Sequence, residues 1–225
     1  AVVWNHRPGL FKQLPNLKLI ASLGAGVDHI MNDPDIPPKV SITRIVGEGL
    51  SGPMSNFCIG AILHHQRQFD KYLIDQSNKT WDQEPNPERG MKVGIMGMGA
   101  LGGDLAEKLN NLGFKVFGLS QSRKNIPHVV SYLSAELDLF LSKINILVVM
   151  LPATESTRGI LSKKLFDKLN KGTYLINVAR GQHQVDEDII DAIENEQLSG
   201  AFLDVFPEEP LSKQSPFWNH PKIMI

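Results

Sequence analysis

The chain has 225 residues, 42% of them hydrophobic and 21% charged, with a formal net charge of −1. That balance is ordinary for a globular protein with material for a sizeable core, and it offers neither a basic surface for nucleic acid nor an acidic tail. A single cysteine, Cys58, excludes an intramolecular disulfide framework and a multi-cysteine metal site.

No signal peptide is evident, and the longest apolar run, Ile144 to Leu151, is strand-sized and too short to span a bilayer. A cytoplasmic protein with no membrane, nucleic-acid or metal partner is therefore expected. Cys58 lies among Phe57, Ile59, Ala61 and Ile62, which predicts a buried structural thiol.

The chain opens on a strand-like "AVVW". "LKLIASLGAGVDHI" then reads as a strand, a glycine loop and a helix start, and "SITRI" as another short strand. "GPMSNFCIGAILHHQRQFDKYLIDQ" predicts one long helix, with Pro53 suited to its first turn. "DQEPNPERG" is a polar, proline-punctuated boundary loop.

From Met91 onward, short β-branched runs alternate with longer amphipathic ones, which predicts a parallel sheet with crossover helices. The expected strands are Lys92–Met96, Lys115–Leu119, Ile144–Met150, Thr173–Val178 and Gly200–Val205. The expected helices are Leu101–Leu112, Ser134–Leu141, Ser162–Leu169 and Asp186–Asn195, with Ser162 and Asp186 placed to cap two of them. The chain ends on "HPKIMI", strand-like again, so both termini read as cut. The fold class is α/β: a doubly wound parallel sheet at residues 47–225, including a long interdomain helix over 53–76, and a smaller partial domain at 1–46.

Three constellations carry chemistry. In "VGIMGMGALGGDLAEKL", the stretch Gly97-Met98-Gly99-Ala100-Leu101-Gly102 forms G-x-G-x-x-G between a strand and a helix. The first glycine permits a tight turn, the second lets backbone approach a pyrophosphate, and the third lets helix and strand pack closely. A plain glycine turn is the bland alternative, but the flanking strand and helix favour a dinucleotide.

The second constellation is "GLSQSRK". Where an NAD enzyme usually places a carboxylate to grip the ribose diol, this chain has Ser120, followed by Ser122, Arg123 and Lys124. Hydroxyls and two cations suit a 2′-phosphate, which predicts NADP, with NADPH preferred over NADH. A solvated basic loop is the competing reading.

The third is spread out. "LINVARG" ends a strand with Arg180, and "AFLDVFPEEP" ends the next with Asp204 and then Glu209. Strand carboxyl ends are where an open α/β sheet presents its ligands. An arginine there can clamp a carboxylate, and a glutamate can support a histidine.

Taken together, "LGAGVDHI", "GIMGMGALG", "LPATESTRGIL", "INVARG", "LDVFPEEPL" and "SPFWNHPKI" give the chain a resemblance, from Ala1 to Ile225, to the D-2-hydroxyacid dehydrogenases. The resemblance is strongest to the branch that reduces glyoxylate and hydroxypyruvate. It implies a flavodoxin-like substrate domain, truncated here, beside a Rossmann domain, and reduction of a small 2-keto acid to the 2-hydroxy acid. By similarity, Arg180 binds the substrate carboxylate and Glu209 supports a general-acid histidine. The loop Gly24-Ala25-Gly26 offers N–H groups to the same carboxylate. Val178, Ala179 and Asp204 line the nicotinamide site, and Leu151 and Pro152 sit by the adenosine half. Trp4 and Met54 bound the substrate pocket, although plain core packing is the alternative for both.

The resemblance further implies a homodimer in which the long helix and "DQEPNPERG" reach the partner. Its histidine belongs to a T-P-H motif expected after Ile225. The chain's own seven histidines, His6, His29, His64, His65, His128, His183 and His220, do not match that position, and His29 and His128 read as surface residues. Two rivals remain: a dinucleotide-sensing binding protein on the same fold, and a formate-type dehydrogenase, which would not need an arginine with a glutamate–histidine pair.

Overall fold

Parallel strand pairing organises both halves of the chain. The computed structural model describes residues 1–4, 6–83 and 90–225, and divides into two units, Ala1–Ser51 and Gly52–Ile225. Most of the boundary loop "DQEPNPERG" (residues 84–89) lies outside the described residues.

In the first unit, β1 (Val2–Val3), β2 (Leu19–Ser22) and β3 (Ser41–Thr43) form a parallel sheet in the order β1-β2-β3, with α1 (Asp28–Met31) between β2 and β3. Val3, Phe11, Ile20 and Ile30 make its small core. Beside that core, the His6 Nε2 and Asp33 Oδ2 atoms lie 2.8 Å apart, both side chains nearly buried. The Asp33 carboxyl is held below its ordinary range by the backbone N–H of Asp35 and by His6.

The long helix is interrupted. It forms α2 (Glu48–Arg67) and α3 (Phe69–Asn78), separated at Gln68, whose φ of 54° lies in the left-handed region. No glycine or proline marks that break, so the apolar pattern runs through it. Pro53 is not in the first turn but inside α2, five residues after its start.

The second unit is the doubly wound sheet. Its strands and helices run β4 (Lys92–Met96), α4 (Ala100–Asn111), β5 (Lys115–Ser120), β6 (Val129–Leu133), α5 (Leu137–Leu141), β7 (Ile146–Val149), α6 (Lys163–Phe166), β8 (Thr173–Asn177), α7 (Asp186–Glu194), β9 (Leu198–Leu203) and β10 (Ile223–Met224). The order β10-β9-β8-β7-β4-β5-β6 is parallel throughout. β6 is a strand that the sequence reading left out: "VVSYL" mixes exposed and buried positions at a sheet edge, without the apolar run of a central strand.

β7 and β8, in contrast, are buried at every position. Cys58, Ala61 and Ile62 of α2 join Leu105, Ala106 and Leu109 of α4 in one apolar cluster. Phe140, Leu165, Ile189 and Ile193 of α5, α6 and α7 belong to the other. Each fully buried Leu or Ile contributes about 1.5–3 kcal/mol of transfer free energy, so both helix layers are anchored by the sheet. Cys58 is buried, and desolvation followed by the nearby charge of Asp204 pushes its thiol up to about 12.

Two expected caps are not made. Ser162 stands at the start of α6 without a side-chain cap bond, and the Lys163 N–H is instead taken by Asp188 at 2.7 Å. Asp186 is the first residue of α7, and its position before the helix is held by Val185.

Candidate functional site

Because every strand of the large sheet points the same way, the loops after β4, β5, β7, β8 and β9 all emerge at one edge. Chain order reverses between β4 and β7, where a doubly wound sheet opens a crevice for its ligand. The sequence motifs fall on this edge. Gly97–Gly102 follows β4, Ser120 ends β5, and Leu151 and Pro152 follow β7. Val178, Ala179 and Arg180 follow β8, and Asp204 follows β9.

Backbone bonds tie these loops together. The Gly97 N–H donates to the Leu119 carbonyl at 3.0 Å, Met150 N–H to Met96 at 2.8 Å, and Asp204 N–H to Asn177 at 3.0 Å.

The glycine turn has the geometry a dinucleotide needs. Gly97 has φ +106°, and a Cβ there would stand 2.5 Å from the Met150 carbonyl oxygen. A Cβ on Gly102 would stand 2.1 Å from the Gly97 oxygen, so only glycine lets α4 close onto β4. Around Gly99 the space is open, with nothing within 4 Å of an added Cβ. Gly99 also precedes α4 without a side-chain cap, leaving first-turn N–H groups for an anion. These features fit a pyrophosphate.

The basic loop after β5 folds back onto β6. Ser120 Oγ donates to the Ser122 carbonyl at 2.7 Å, and the Lys124 N–H donates to Ser131 Oγ at 2.9 Å. Arg123 Nη1 donates to the Ser131 carbonyl at 2.6 Å, and its Nη2 to both Glu136 carboxylate oxygens at 2.9 Å. Ser122, Arg123 and Lys124 are exposed and Ser120 is half-buried. Glu136 had no signal in the sequence, since it lies thirteen residues beyond Arg123 in an ordinary helix start.

The arginine loop is built from buried polar groups. Asn177 is fully buried, and its Nδ2 donates to Gln184 Oε1 at 2.7 Å and to the Arg180 carbonyl at 3.2 Å. Its Oδ1 accepts from the Ala179 N–H at 3.1 Å. Arg180 Nη1 donates to the Ala179 carbonyl at 2.7 Å. Asn177 and Gln184 thus brace the arginine loop, and the motif reading did not single them out.

On the neighbouring loop, Glu209 Oε1 accepts from the Phe206 N–H at 3.0 Å. Desolvation at the end of β9, and then the negative charge of Glu209, raise the Asp204 carboxyl above its ordinary value. His183 is fully buried, with Nε2 3.3 Å from the Pro152 carbonyl. That contact ties the loop after β7 to the arginine loop.

Of the residues expected at the substrate, Trp4 lies in the first unit, 60% exposed, with its ring edge-on to His29 at 5.4 Å. His29 is half-buried against it, where a surface residue was expected. The Trp4 ring covers Gly24, and a Cβ there would stand 2.1 Å from it. The loop is braced by Ser22 Oγ, which donates to Gly26 O at 2.9 Å, and by Arg44, which donates to Ala25 O at 3.0 Å. Met54 packs, half-buried, against the α2–α4 cluster. Among the described residues, no group of three or more His, Cys, Asp or Glu could hold a metal ion, and no helix is long and apolar enough to cross a membrane.

A sheet edge carrying a G-x-G-x-x-G turn, a basic loop and an arginine suits a nucleotide-dependent dehydrogenase. The sequence model described as "D-isomer specific 2-hydroxyacid dehydrogenase, NAD binding domain" matches residues 59–225. The chain belongs to that family of NAD(P)-dependent enzymes. It is 39% identical to glyoxylate/hydroxypyruvate reductase A of Citrobacter koseri over 230 aligned residues, covering 99% of this chain and 73% of that one. Among solved structures it is similar to an NADPH-dependent glyoxylate/hydroxypyruvate reductase from Sinorhizobium meliloti in complex with NADP and sulfate. That match has a TM-score of 0.96 and 42% identity, and covers all of this chain and 72% of the other. A probable 2-hydroxyacid dehydrogenase from Rhizobium etli, in complex with NADP, HEPES and L(+)-tartaric acid, matches with a TM-score of 0.94 and 39% identity, covering 100% and 72%.

Proposed function

We propose that the protein reduces a small 2-keto acid, of the size of glyoxylate or hydroxypyruvate, with NADPH. The observation that carries this is the placing of Arg180 on the same sheet edge as the Gly97–Gly102 turn and the Ser120–Lys124 loop. The relatives' cofactor supports it, since the Sinorhizobium meliloti reductase is NADPH-dependent and the Rhizobium etli structure holds NADP.

In this reading the first-turn N–H groups of α4 and the open backbone at Gly99 hold the pyrophosphate. Ser120, Ser122, Arg123 and Lys124 hold the 2′-phosphate, and Leu151 and Pro152 flank the adenosine. Val178, Ala179 and Asp204 border the nicotinamide. When bound, the cofactor supplies hydride to the keto carbon. Arg180 clamps the substrate carboxylate through its guanidinium and draws electron density from the keto oxygen. Ala25 and Gly26 offer backbone N–H groups to the same carboxylate, while the Gly24 N–H, expected to join them, is taken by Ser22 Oγ at 3.2 Å; Trp4 and Met54 bound the substrate's side chain. Glu209 orients the imidazole that delivers the proton, a histidine expected from the resemblance rather than from the residues described.

We also infer a homodimer. Every residue of α3 is at least partly exposed, and it shows Phe69, Tyr72, Leu73 and Ile74 to solvent. Phe69, Tyr72 and Leu73 share one face at i, i+3, i+4 spacing, and an exposed apolar strip of that kind fits a second copy of the chain.

The reductase reading is tested by following NADPH oxidation with glyoxylate and with hydroxypyruvate, alongside fluorescence titrations with NADPH and NADH. Tighter NADPH binding that Arg123→Ala and Lys124→Ala together abolish supports it. Equal or tighter NADH binding overturns the cofactor assignment.

A further inference from the structure

Arg123 is one of two cations assigned above to the 2′-phosphate, but its guanidinium does not hang free. It is held by two groups of the chain. Nη1 meets the Ser131 carbonyl of β6, and Nη2 meets both oxygens of Glu136. Glu136 is itself fixed, because Oε2 also accepts the Leu133 N–H at 2.8 Å. Leu133 is the residue paired with Ser120 across the β5–β6 ladder. One carboxylate therefore links the end of β5's partner strand, the helix start after it, and the guanidinium above.

The Arg123 side chain is 57% exposed and that of Glu136 33%. A pair so open to solvent adds little to folding stability. Together with the Ser131 contact to Nη1, however, its hold on Nη2 fixes the plane of a side chain that would otherwise sample many rotamers. An arginine has five N–H donors. The contacts to Ser131 and Glu136 leave the Nε–H and a second Nη1 hydrogen for another acceptor. The orienting carboxylate is engaged by Arg123 through both oxygens and by the Leu133 N–H through Oε2.

We propose that Glu136 is a positioning residue for cofactor choice: it holds the Arg123 guanidinium against β6, the strand beside the end of β5, ready for a phosphate ester on the adenine-side ribose. This deepens the NADPH reading and rests on it. Glu136 gains nothing for a cofactor without that phosphate, so its effect is confined to discrimination.

The opposite effect is also physically available. A carboxylate bound to the arginine could compete with the phosphate, and its removal would then tighten binding. The test separates the two. Calorimetric titrations with adenosine 2′,5′-bisphosphate and with 5′-AMP measure the phosphate's contribution without turnover. For Glu136→Ala, bisphosphate binding weakens about tenfold through lost preorganisation, while 5′-AMP binding is unchanged. Glu136→Gln, which keeps an oxygen for Arg123, recovers most of the loss. In an Arg123→Ala background, Glu136→Ala has no further effect, as expected of two groups acting through one contact.

If the parent protein favours the bisphosphate and Glu136→Ala binds it equally well or more tightly, the positioning role is overturned and the NADPH reading survives. If the parent protein shows no preference for the bisphosphate over 5′-AMP, the cofactor reading falls and this inference falls with it.

Discussion

Gly181 lies directly against Phe206: a Cβ on Gly181 would stand 1.8 Å from the Phe206 carbonyl carbon and 2.1 Å from its oxygen. The obstruction is backbone, which cannot swing aside as a flexible side chain would. This contact presses the loop of Arg180 onto the loop that runs to Glu209. The two proposed catalytic residues thus owe their spacing to a missing methyl group.

Gly181→Ala is therefore expected to separate the two loops. Turnover of a 2-keto acid should fall by at least about tenfold, since small misplacements at a reacting centre are costly. NADPH binding measured by fluorescence should change much less, because the Gly97–Gly102 turn belongs to other strands. Equal losses in both measurements would mean that the substitution unfolds the sheet edge rather than the site.

Asp204→Asn should stabilise the fold at neutral pH while impairing turnover. Desolvation and the charge of Glu209 raise the Asp204 carboxyl, so folding favours its protonated form. A raised carboxylate costs stability above its folded value, and that cost fades as pH falls through it. The parent protein should accordingly approach the variant's stability on acidification. Urea midpoints of both proteins across the acid range check the sign, and a gap that widens on acidification would refute it.

Asp104 behaves in the opposite sense. Burial opposes its charge, but Lys108 at 2.7 Å and the hydroxyl of fully buried Ser55 prevail, and the carboxyl lies below its ordinary 3.8. Its contribution is present above that ordinary value and is lost as pH falls through the lowered one. Asp104→Ala should cost about 1–2 kcal/mol at neutral pH, through a buried hydroxyl left without its acceptor. The deficit should shrink once the parent's carboxylate is protonated. Thermal melts at neutral pH and well below 3.8 compare the two.

The strip on α3 gives a solution test of assembly. Leu73→Glu places a charge where 63% of the side chain's surface is open. Light scattering should report a dimer for the parent protein and a lighter species for the variant. A parent protein that elutes as a monomer at every concentration would remove the homodimer reading.

Much of the large sheet is legible in the sequence because β4, β7, β8 and β9 are buried parallel strands, written as runs of aliphatic residues between helices. β6 escapes because an edge strand needs no such run. The break at Gln68 escapes because the residue that bends the chain is neither glycine nor proline. The glycine turn and the basic loop are local patterns and can be read directly. Asn177, Gly181 and Glu136 act through partners that only folding brings near: Asn177 braces Arg180 from within the core, and Glu136 reaches back across a strand to Arg123. Asn177 and Gly181 fall inside "INVARG", but the partners they act through are not written there, and Glu136 lies in no motif at all.

The Arg123–Glu136 arrangement also bears on how the protein survives beside copies of itself. β6 is the outermost strand of the seven-stranded sheet, with a flank that another β-strand could in principle extend. Along that flank the Ser131 carbonyl is occupied by Arg123 and the Leu133 N–H by Glu136. An incoming strand would find two of its hydrogen-bonding places taken, by a cation and an anion that resist burial. The same few side chains assigned to a nucleotide thereby blunt the sheet against aggregation. A variant that strips both charges should be read for solubility as well as for affinity.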